Sequence, residues 1–151
     1  AKKLEQAKKM AEKVAAKKTE MKAKCETRKA KIETLMSRVV ENRKEHIEKL
    51  SSIVEKVEAF YVKSGTVSPN YDSLLADINE KKAAAEAAAV ELKNNASLSC
   101  DAEKPREDVQ TFKNQRSAAL SAVKSYRQSV RALIDDIKQA YVSTQKNEGV
   151  Q

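Results

Sequence analysis

The first 64 residues of the chain read AKKLEQAKKMAEKVAAKKTEMKAKCETRKAKIETLMSRVVENRKEHIEKLSSIVEKVEAFYVKS, without a glycine or a proline. Ala, Lys, Glu, Met and Leu, which intrinsically favour helices, dominate this stretch. It therefore predicts one helix over residues 1–64, about 90 Å long at 1.5 Å per residue. No later stretch of the chain is long enough to cover all of this helix, so we expect part of it to project.

The composition of the whole chain also favours long helices. Charged residues make up 34% of the 151 residues, aromatic residues make up 4%, and there are only two glycines and two prolines. Such a composition is typical of helices that pack through narrow seams rather than around a thick core. No run approaches 18 apolar residues, so the sequence predicts no transmembrane helix.

Apolar residues recur along the first helix at alternating intervals of three and four, which is the pattern of a coiled-coil seam. In the amino-terminal half, the seam consists of Leu4, Ala7, Ala11, Val14, Met21, Cys25 and Ile32. Lys18 and Arg28 occupy two further seam positions and weaken it. From Met36 onward the apolar residues align one position later, so the seam shifts between residues 32 and 40. We infer that packing partners from the same chain begin near Met36.

Two breaks separate a second and a third helix from the first. Gly65 suits the left-handed position after a helix end. Ser68 is a good cap for the second helix, with Pro69 in its first turn. Asn94-Asn95 marks the end of the second helical pattern, and Pro105 opens the third. The expected helices span about residues 1–64, 68–97 and 104–144, followed by a polar tail over residues 147–151.

Three helices joined by short connections predict an all-α fold, an antiparallel three-helix bundle over residues 34–146. Pairing around both turns collects aromatic and aliphatic side chains at one end of the bundle. This tip cluster comprises Phe60, Tyr61, Tyr71, Leu74, Val130, Leu133 and Ile134. A structural hydrophobic plug is the favoured interpretation, with a ligand pocket as the alternative. The second helix reaches back only to about residue 36, so residues 1–33, here called the arm, are expected to protrude.

The arm carries most of the positive charge of the chain. Residues 1–35 hold eleven lysines and one arginine against five glutamates, a net charge of +7 out of +8 for the whole chain. The basic residues are Lys2, Lys3, Lys8, Lys9, Lys13, Lys17, Lys18, Lys22, Lys24, Arg28, Lys29 and Lys31. Such an arm favours acidic partners, although a solvated lysine-rich helix surface without a ligand is the alternative. Because an isolated arm with a weak seam is marginal in water, we expect it to contact a protein partner or a second copy.

The two cysteines lie far apart in the sequence. Cys25 belongs to the seam of the arm, and Cys100 lies in the second break. If the second helix ends opposite Met36, an extended connection over residues 97–100 spans most of the roughly 16 Å back to Cys25. The spacing therefore permits a disulfide, which would stabilise the fold by about 4 kcal/mol. It equally permits two reduced thiols in a cytosolic protein.

Several short motifs between residues 25 and 140 carry a resemblance to a known group of proteins. They are Cys25-Glu26-Thr27-Arg28, Phe60-Tyr61, Val67-Ser68-Pro69-Asn70-Tyr71-Asp72, Leu98-Ser99-Cys100-Asp101, and Tyr126-Arg127 with Val130. This pattern is similar to one in uncharacterised coiled-coil proteins of patescibacteria, the candidate phyla radiation. Those proteins look exported, so the resemblance implies a secreted or cell-envelope location and favours a Cys25–Cys100 disulfide. It implies no activity, and free thiols would instead indicate the cytoplasm.

The sequence offers no arrangement of residues suited to catalysis, a metal or a cofactor. His46 is the only histidine and position 43 is Arg, so the Glu-x-x-His pairs of di-iron bundles are missing. One histidine and two distant cysteines do not make a zinc site, and two glycines do not make a phosphate-binding loop. Ser121 and Lys124 have the Ser-x-x-Lys spacing without the companion motifs of acylating enzymes. We therefore expect a protein that is not an enzyme.

These observations favour a structural, assembly or surface-adhesion coiled-coil protein that uses its basic arm, with an acidic surface polymer as one possible target. A nucleic-acid-associated protein that binds phosphates through residues 2–31 is the alternative, although the arm has no aromatic residue for base stacking. A peripheral membrane helix is less favoured, because the apolar face of the arm is mostly Ala, Val and Met. The identity of the partner and the oligomeric state are left open.

Overall fold

The structure of the protein, a computed structural model, describes residues 2–101 and 104–149. The chain forms three helices, α1 (Lys2–Lys63), α2 (Tyr71–Asn94) and α3 (Lys104–Gly149). No strand occurs in these two ranges. The fold is therefore all-α, as the composition predicts. None of the described helices is both long enough and apolar enough to cross a bilayer.

Helix α1 runs without interruption through the glycine-free and proline-free stretch. Its end is set by Gly65, whose backbone φ of +66° lies in the left-handed region that glycine adopts without strain. The N–H of Ser64 donates to the carbonyl of Phe60 at 2.9 Å, and the N–H of Gly65 donates to that of Val62 at 3.4 Å. These bonds satisfy carbonyls that a helix end otherwise leaves without partners.

Helix α2 is shorter than the predicted span of 68–97. Ser68 still organises its start, because its Oγ accepts a hydrogen bond from the N–H of Asn70 at 3.2 Å. The first bond of α-helical type runs from the N–H of Leu74 to the carbonyl of Asn70. At the other end, the N–H of Asn95 donates to the carbonyl of Glu91 at 3.2 Å and the helix stops. Residues 95–101 then leave the helix in an irregular connection.

Helix α3 is longer than predicted. It continues to Gly149 rather than ending near residue 144, so residues 147–149 of the predicted polar tail are helical. The physical reason is that Gln, Lys and Glu in this stretch are good helix formers, and no glycine or proline lies between Pro105 and Gly149. The last two residues of the predicted tail, 150 and 151, lie outside the described residues.

Two buried clusters hold the helices together, and every pair of helices is in contact. The larger consists of Ile47, Val54, Ile78, Ala85, Val123, Tyr126, Val130, Leu133 and Ile137. The smaller, nearer the arm, consists of Met36, Leu92, Phe112 and Ala119. Along the contact between α1 and α3, the residue numbers of both helices increase in the same direction, from Ser51–Tyr126 to Phe60–Tyr141. The contacts on the α2 side follow the opposite order, from Ser68–Asp136 just before α2 to Asp77–Ser129.

The shift of the seam in α1 is visible in the exposure of neighbouring residues. Leu35, which continues the apolar row of the arm, is 51% exposed, whereas Met36 is only 4% exposed. Ile47 and Val54, in the row that starts at Met36, are buried as well. The face of α1 that meets α2 and α3 is therefore rotated by about one residue, or 100°, from the apolar face of the arm.

Candidate functional site

A disulfide joins the arm to the rest of the chain. Cys25 of α1 and Cys100 of the connection between α2 and α3 are bonded, with their Cα atoms 5.7 Å apart. This separation lies within the range of unstrained disulfides. The pairing that the resemblance favours is thus confirmed, and among the described residues there is no free cysteine.

The connection that carries Cys100 is held against α1 and α3. Leu98 and Cys100 are buried, and the N–H of Ser99 donates to a carboxylate oxygen of Asp108 at 2.7 Å. This segment reaches back along α1 beyond the end of α2 to the half-buried Cys25 and Lys29, whereas the half-buried Ile32 packs against the smaller core cluster. Contacts of α1 with the rest of the chain thus begin about eleven residues before Met36, where the seam predicts them, and the division of the helix at residue 33 stays a prediction. The covered part of α1 begins at Cys25.

The surface around the disulfide is an open cleft of mixed charge. Its charged lining residues are Lys22, Glu26, Lys29, Asp101, Lys104, Glu107 and Asp108. Lys22 and Asp101 form an ion pair at 3.4 Å between largely exposed side chains, which contributes little to stability. Because both signs of charge alternate around an open surface, the cleft has no feature that selects one small ligand.

Residues 2–24 of the arm are exposed throughout. The exposure includes large apolar side chains of the seam, among them Leu4 at 69% and Met21 at 64%. Of the predicted basic residues, Lys29 is half-buried. Those that are exposed are Lys2, Lys3, Lys8, Lys9, Lys13, Lys17, Lys18, Lys22, Lys24, Arg28 and Lys31. The arm thus presents both a basic surface and an apolar stripe to its surroundings.

The tip cluster is assembled mainly around two tyrosines. The rings of Tyr61 and Tyr71 stack with centroids 3.7 Å apart and planes 3° from parallel. They pack with Leu74 and Ile134 against the buried Val130 and Leu133, which are members of the larger core cluster. Burial, followed by the charge of Glu58, raises the pKa of the Tyr71 hydroxyl above its ordinary value. The arrangement is that of packed side chains at the end of a core.

Phe60 differs from its predicted place in the tip cluster. Its side chain is 45% exposed, and its ring lies edge-on against Tyr141 of α3 at a centroid distance of 5.4 Å. Consecutive residues of a helix point about 100° apart, so Phe60 and Tyr61 do not face the same neighbours. Phe60 therefore covers the outer side of the contact between α1 and α3.

One arginine of α1 interrupts the apolar packing of the bundle. Arg43 lies on α1 between the buried Met36 and Ile47, and its Nε is buried without a hydrogen-bond partner among the described residues. Burial, and then the charge of Arg116, lowers the pKa of Arg43. Arg43 occupies the position between Val40 and Ile47 in the apolar row that starts at Met36, and this charged position is the sequence signal that could have located it. Arg116 lies between the buried Phe112 and Ala119 of α3 and is itself exposed.

Other candidate groups are dispersed over the described part of the chain. His46 is exposed on α1, and within residues 2–101 and 104–149 no three His, Cys, Asp or Glu side chains gather as metal ligands would. The chain matches no protein-family model, no curated protein and no solved structure. The exposed arm and the disulfide at its base are therefore the most distinctive features of the described residues.

Proposed function

We propose that this chain is a non-enzymatic structural coiled-coil protein, in which a three-helix bundle holds out a basic helical arm for assembly or surface adhesion. The observation that carries the proposal is the exposure of residues 2–24 on a helix that continues into the packed part of α1. If α1 served only to build the core of the bundle, the large apolar side chains of Leu4 and Met21 would be buried rather than exposed. An apolar stripe beside a strong positive charge is better suited to contact with another molecule.

The proposed architecture is an antiparallel up-down-up bundle with the first part of α1 protruding. The opposite order of the contacts Ser68–Asp136 and Asp77–Ser129 supports the alternation of direction. The disulfide supports the protruding arm, because it fixes the connection after α2 against Cys25, at the point where cover of α1 ends. Force applied to the arm would then pass into the bundle at two points, through the backbone of α1 and through the disulfide.

We further propose a secreted or cell-envelope location, in keeping with the resemblance to exported patescibacterial coiled-coil proteins. The disulfide is compatible with this, because disulfides persist in oxidising compartments. The coding sequence upstream of Ala1 tests the proposal. A signal peptide there is the expected result, and a cytoplasmic protein isolated with two reduced thiols would contradict it.

The basic arm also fits a second candidate function, binding of nucleic acid through residues 2–31. The supporting observation is the exposure of eleven of its twelve cations. However, the arm lacks aromatic residues for base stacking, and its glutamates reduce the local field. A phosphate-binding protein is expected to lose affinity steeply with salt, by about three orders of magnitude or more between about 50 and 200 mM for six or more contacts.

Binding of the full chain to duplex DNA and to anionic vesicles, measured over this salt range, separates the two candidates. The structural proposal expects weak binding to both that is abolished at physiological salt, because DNA offers no apolar surface and a stripe of mostly Ala, Val and Met inserts poorly into a bilayer. Submicromolar DNA binding at physiological salt would replace it with the nucleic-acid function. A Val14→Ser, Met21→Ser variant is the control, since it removes apolar surface and leaves the charge unchanged.

A further inference from the structure

The positions beside the apolar seam of the arm are almost all lysine. With Leu4 and Ala11 at position a of the heptad and Ala7 and Val14 at d, two flanking rows follow at e and g. The e row is Lys8, Ala15, Lys22 and Lys29, and the g row is Lys3, Met10, Lys17, Lys24 and Lys31. Seven of these nine positions are lysine and none is acidic. Four of the five glutamates, Glu5, Glu12, Glu26 and Glu33, share the outward b row.

This arrangement disfavours a second copy of the chain as the partner. In a parallel pair of identical arms, each g position faces an e position of the other helix. In an antiparallel pair, e faces e and g faces g. Both orientations bring lysine against lysine along the seam, and like charges at such positions are destabilising. The same rows become ion pairs if the facing helix carries Glu or Asp.

Several of these lysines also lack a partner within the protein. Lys22 pairs with Asp101, Lys24 with Glu20, and Lys29 with Glu33. Among the described residues, Lys3, Lys8 and Lys17 have no carboxylate within 4.0 Å. All three flank the part of the seam that is exposed, and they are available to carboxylates of another molecule.

We infer that the arm docks an acidic amphipathic helix of another protein, which forms a heterotypic coiled coil with Leu4 through Met21. The inference rests on the proposed function and names the class of its partner. The partner helix carries large aliphatic residues on its seam, because Ala7 and Ala11 leave space, and carboxylates at its own e and g positions. The exposed seam is about 26 Å long. It ends at Cys25, where the disulfide holds the connection across the a row.

The test uses the full chain, oxidised, and a synthetic four-heptad peptide with Ile at a, Leu at d and Glu at e and g. A second peptide with Lys at e and g is the probe control. Fluorescence anisotropy measures the affinity of each peptide for the chain. We expect the acidic peptide to bind and the basic peptide to bind at least about tenfold more weakly, because each flanking pair changes from attraction to repulsion.

Two triple variants with the same net charge show which lysines contribute to binding of the acidic peptide. Lys3→Glu, Lys8→Glu, Lys17→Glu reverses the flanking rows, whereas Lys2→Glu, Lys9→Glu, Lys13→Glu reverses outward positions. The first is expected to lower the affinity for the acidic peptide at least about tenfold, and the second by less than about threefold. Circular dichroism verifies that both variants keep the helical content of the wild type.

Three outcomes would overturn the inference. Equal losses of peptide affinity in the two variants would mean that the arm responds only to total charge, as it would with a phosphate polymer or a lipid surface. A second outcome is that the wild-type chain sediments as a dimer that becomes more stable only in the variant with reversed flanking lysines. That result would assign the seam to a second copy of the chain and would leave the proposed assembly function intact. No binding of the acidic peptide at about 100 µM, with tight DNA binding at physiological salt, would overturn the proposed function as well.

Discussion

Removal of the disulfide between Cys25 and Cys100 should cost this protein a large part of its stability. The bond joins residues 75 positions apart, and the loop that it closes contains α2 and the packed half of α1. For a loop of this length, the chain-entropy relation gives about 4.5 kcal/mol at 25 °C. Domains of this size are commonly stable by only 5–15 kcal/mol, roughly, so the loss would be conspicuous. The double variant Cys25→Ala, Cys100→Ala avoids a buried hydroxyl at position 100.

Urea denaturation followed by circular dichroism measures the effect. We expect the free energy of unfolding of the double variant to fall by about 4 kcal/mol, with a lower midpoint. Reduced wild-type protein is the matched control, because it has lost the bond but keeps both sulfur atoms. It should show nearly the same loss. A loss below about 1 kcal/mol in both samples would refute the idea that this bond holds the connection and the base of the arm in place.

Three further substitutions test the packing of the bundle. Leu133→Ala should destabilise by about 2–5 kcal/mol, since Leu133 is fully buried, whereas the exposed Val67→Ala should change stability by less than about 0.5 kcal/mol in the same denaturation assay. Tyr126→Phe should cost about 1 kcal/mol, because it removes the 3.0 Å hydrogen bond to Ser51; a loss as large as that of Leu133→Ala would point to a packing defect instead. The raised pKa of Tyr71 means that the folded chain holds this proton more tightly than the unfolded chain does. The contribution of the protonated Tyr71 hydroxyl to the free energy of unfolding is therefore complete below the ordinary tyrosine pKa of about 10 and is lost as pH rises through the raised pKa. The Tyr71→Phe variant should consequently lose less stability than the wild type between about pH 9 and 11.

The elements of this fold were largely predictable because local signals dominate them. The absence of glycine and proline before Gly65 predicts the full length of α1, and Gly65 itself adopts the left-handed backbone expected of it. The prediction that Ser68 caps α2 is wrong, because Asn70 occupies the cap position and the helix begins at Tyr71. The extension of α3 is not predictable from polarity, because a polar composition occurs both in tails and in exposed helix ends. Polar residues with good helix propensity continue a helix just as well.

The contacts between the helices were predictable only to about one residue. Heptad counting places Tyr61 and Tyr71 at one end of the bundle, where their rings stack. It does not fix the rotation of each helix, and Phe60 consequently contacts Tyr141 instead of the core. For the disulfide, spacing left the choice between bonded and free cysteines open, since a few residues of uncertainty in the end of α2 change the reach of the connection.

The proposed function depends most on how far the helical arm extends from the bundle. Helix α1 has 62 residues, which correspond to about 93 Å, whereas the 46 residues of α3 correspond to about 69 Å. Small-angle X-ray scattering of the oxidised full chain measures the longest dimension directly. We predict a maximum dimension of about 95–105 Å, with the extended profile of a rod. A maximum near 70 Å would show that residues 2–24 fold back or unravel, and it would contradict the account of a projecting helical arm.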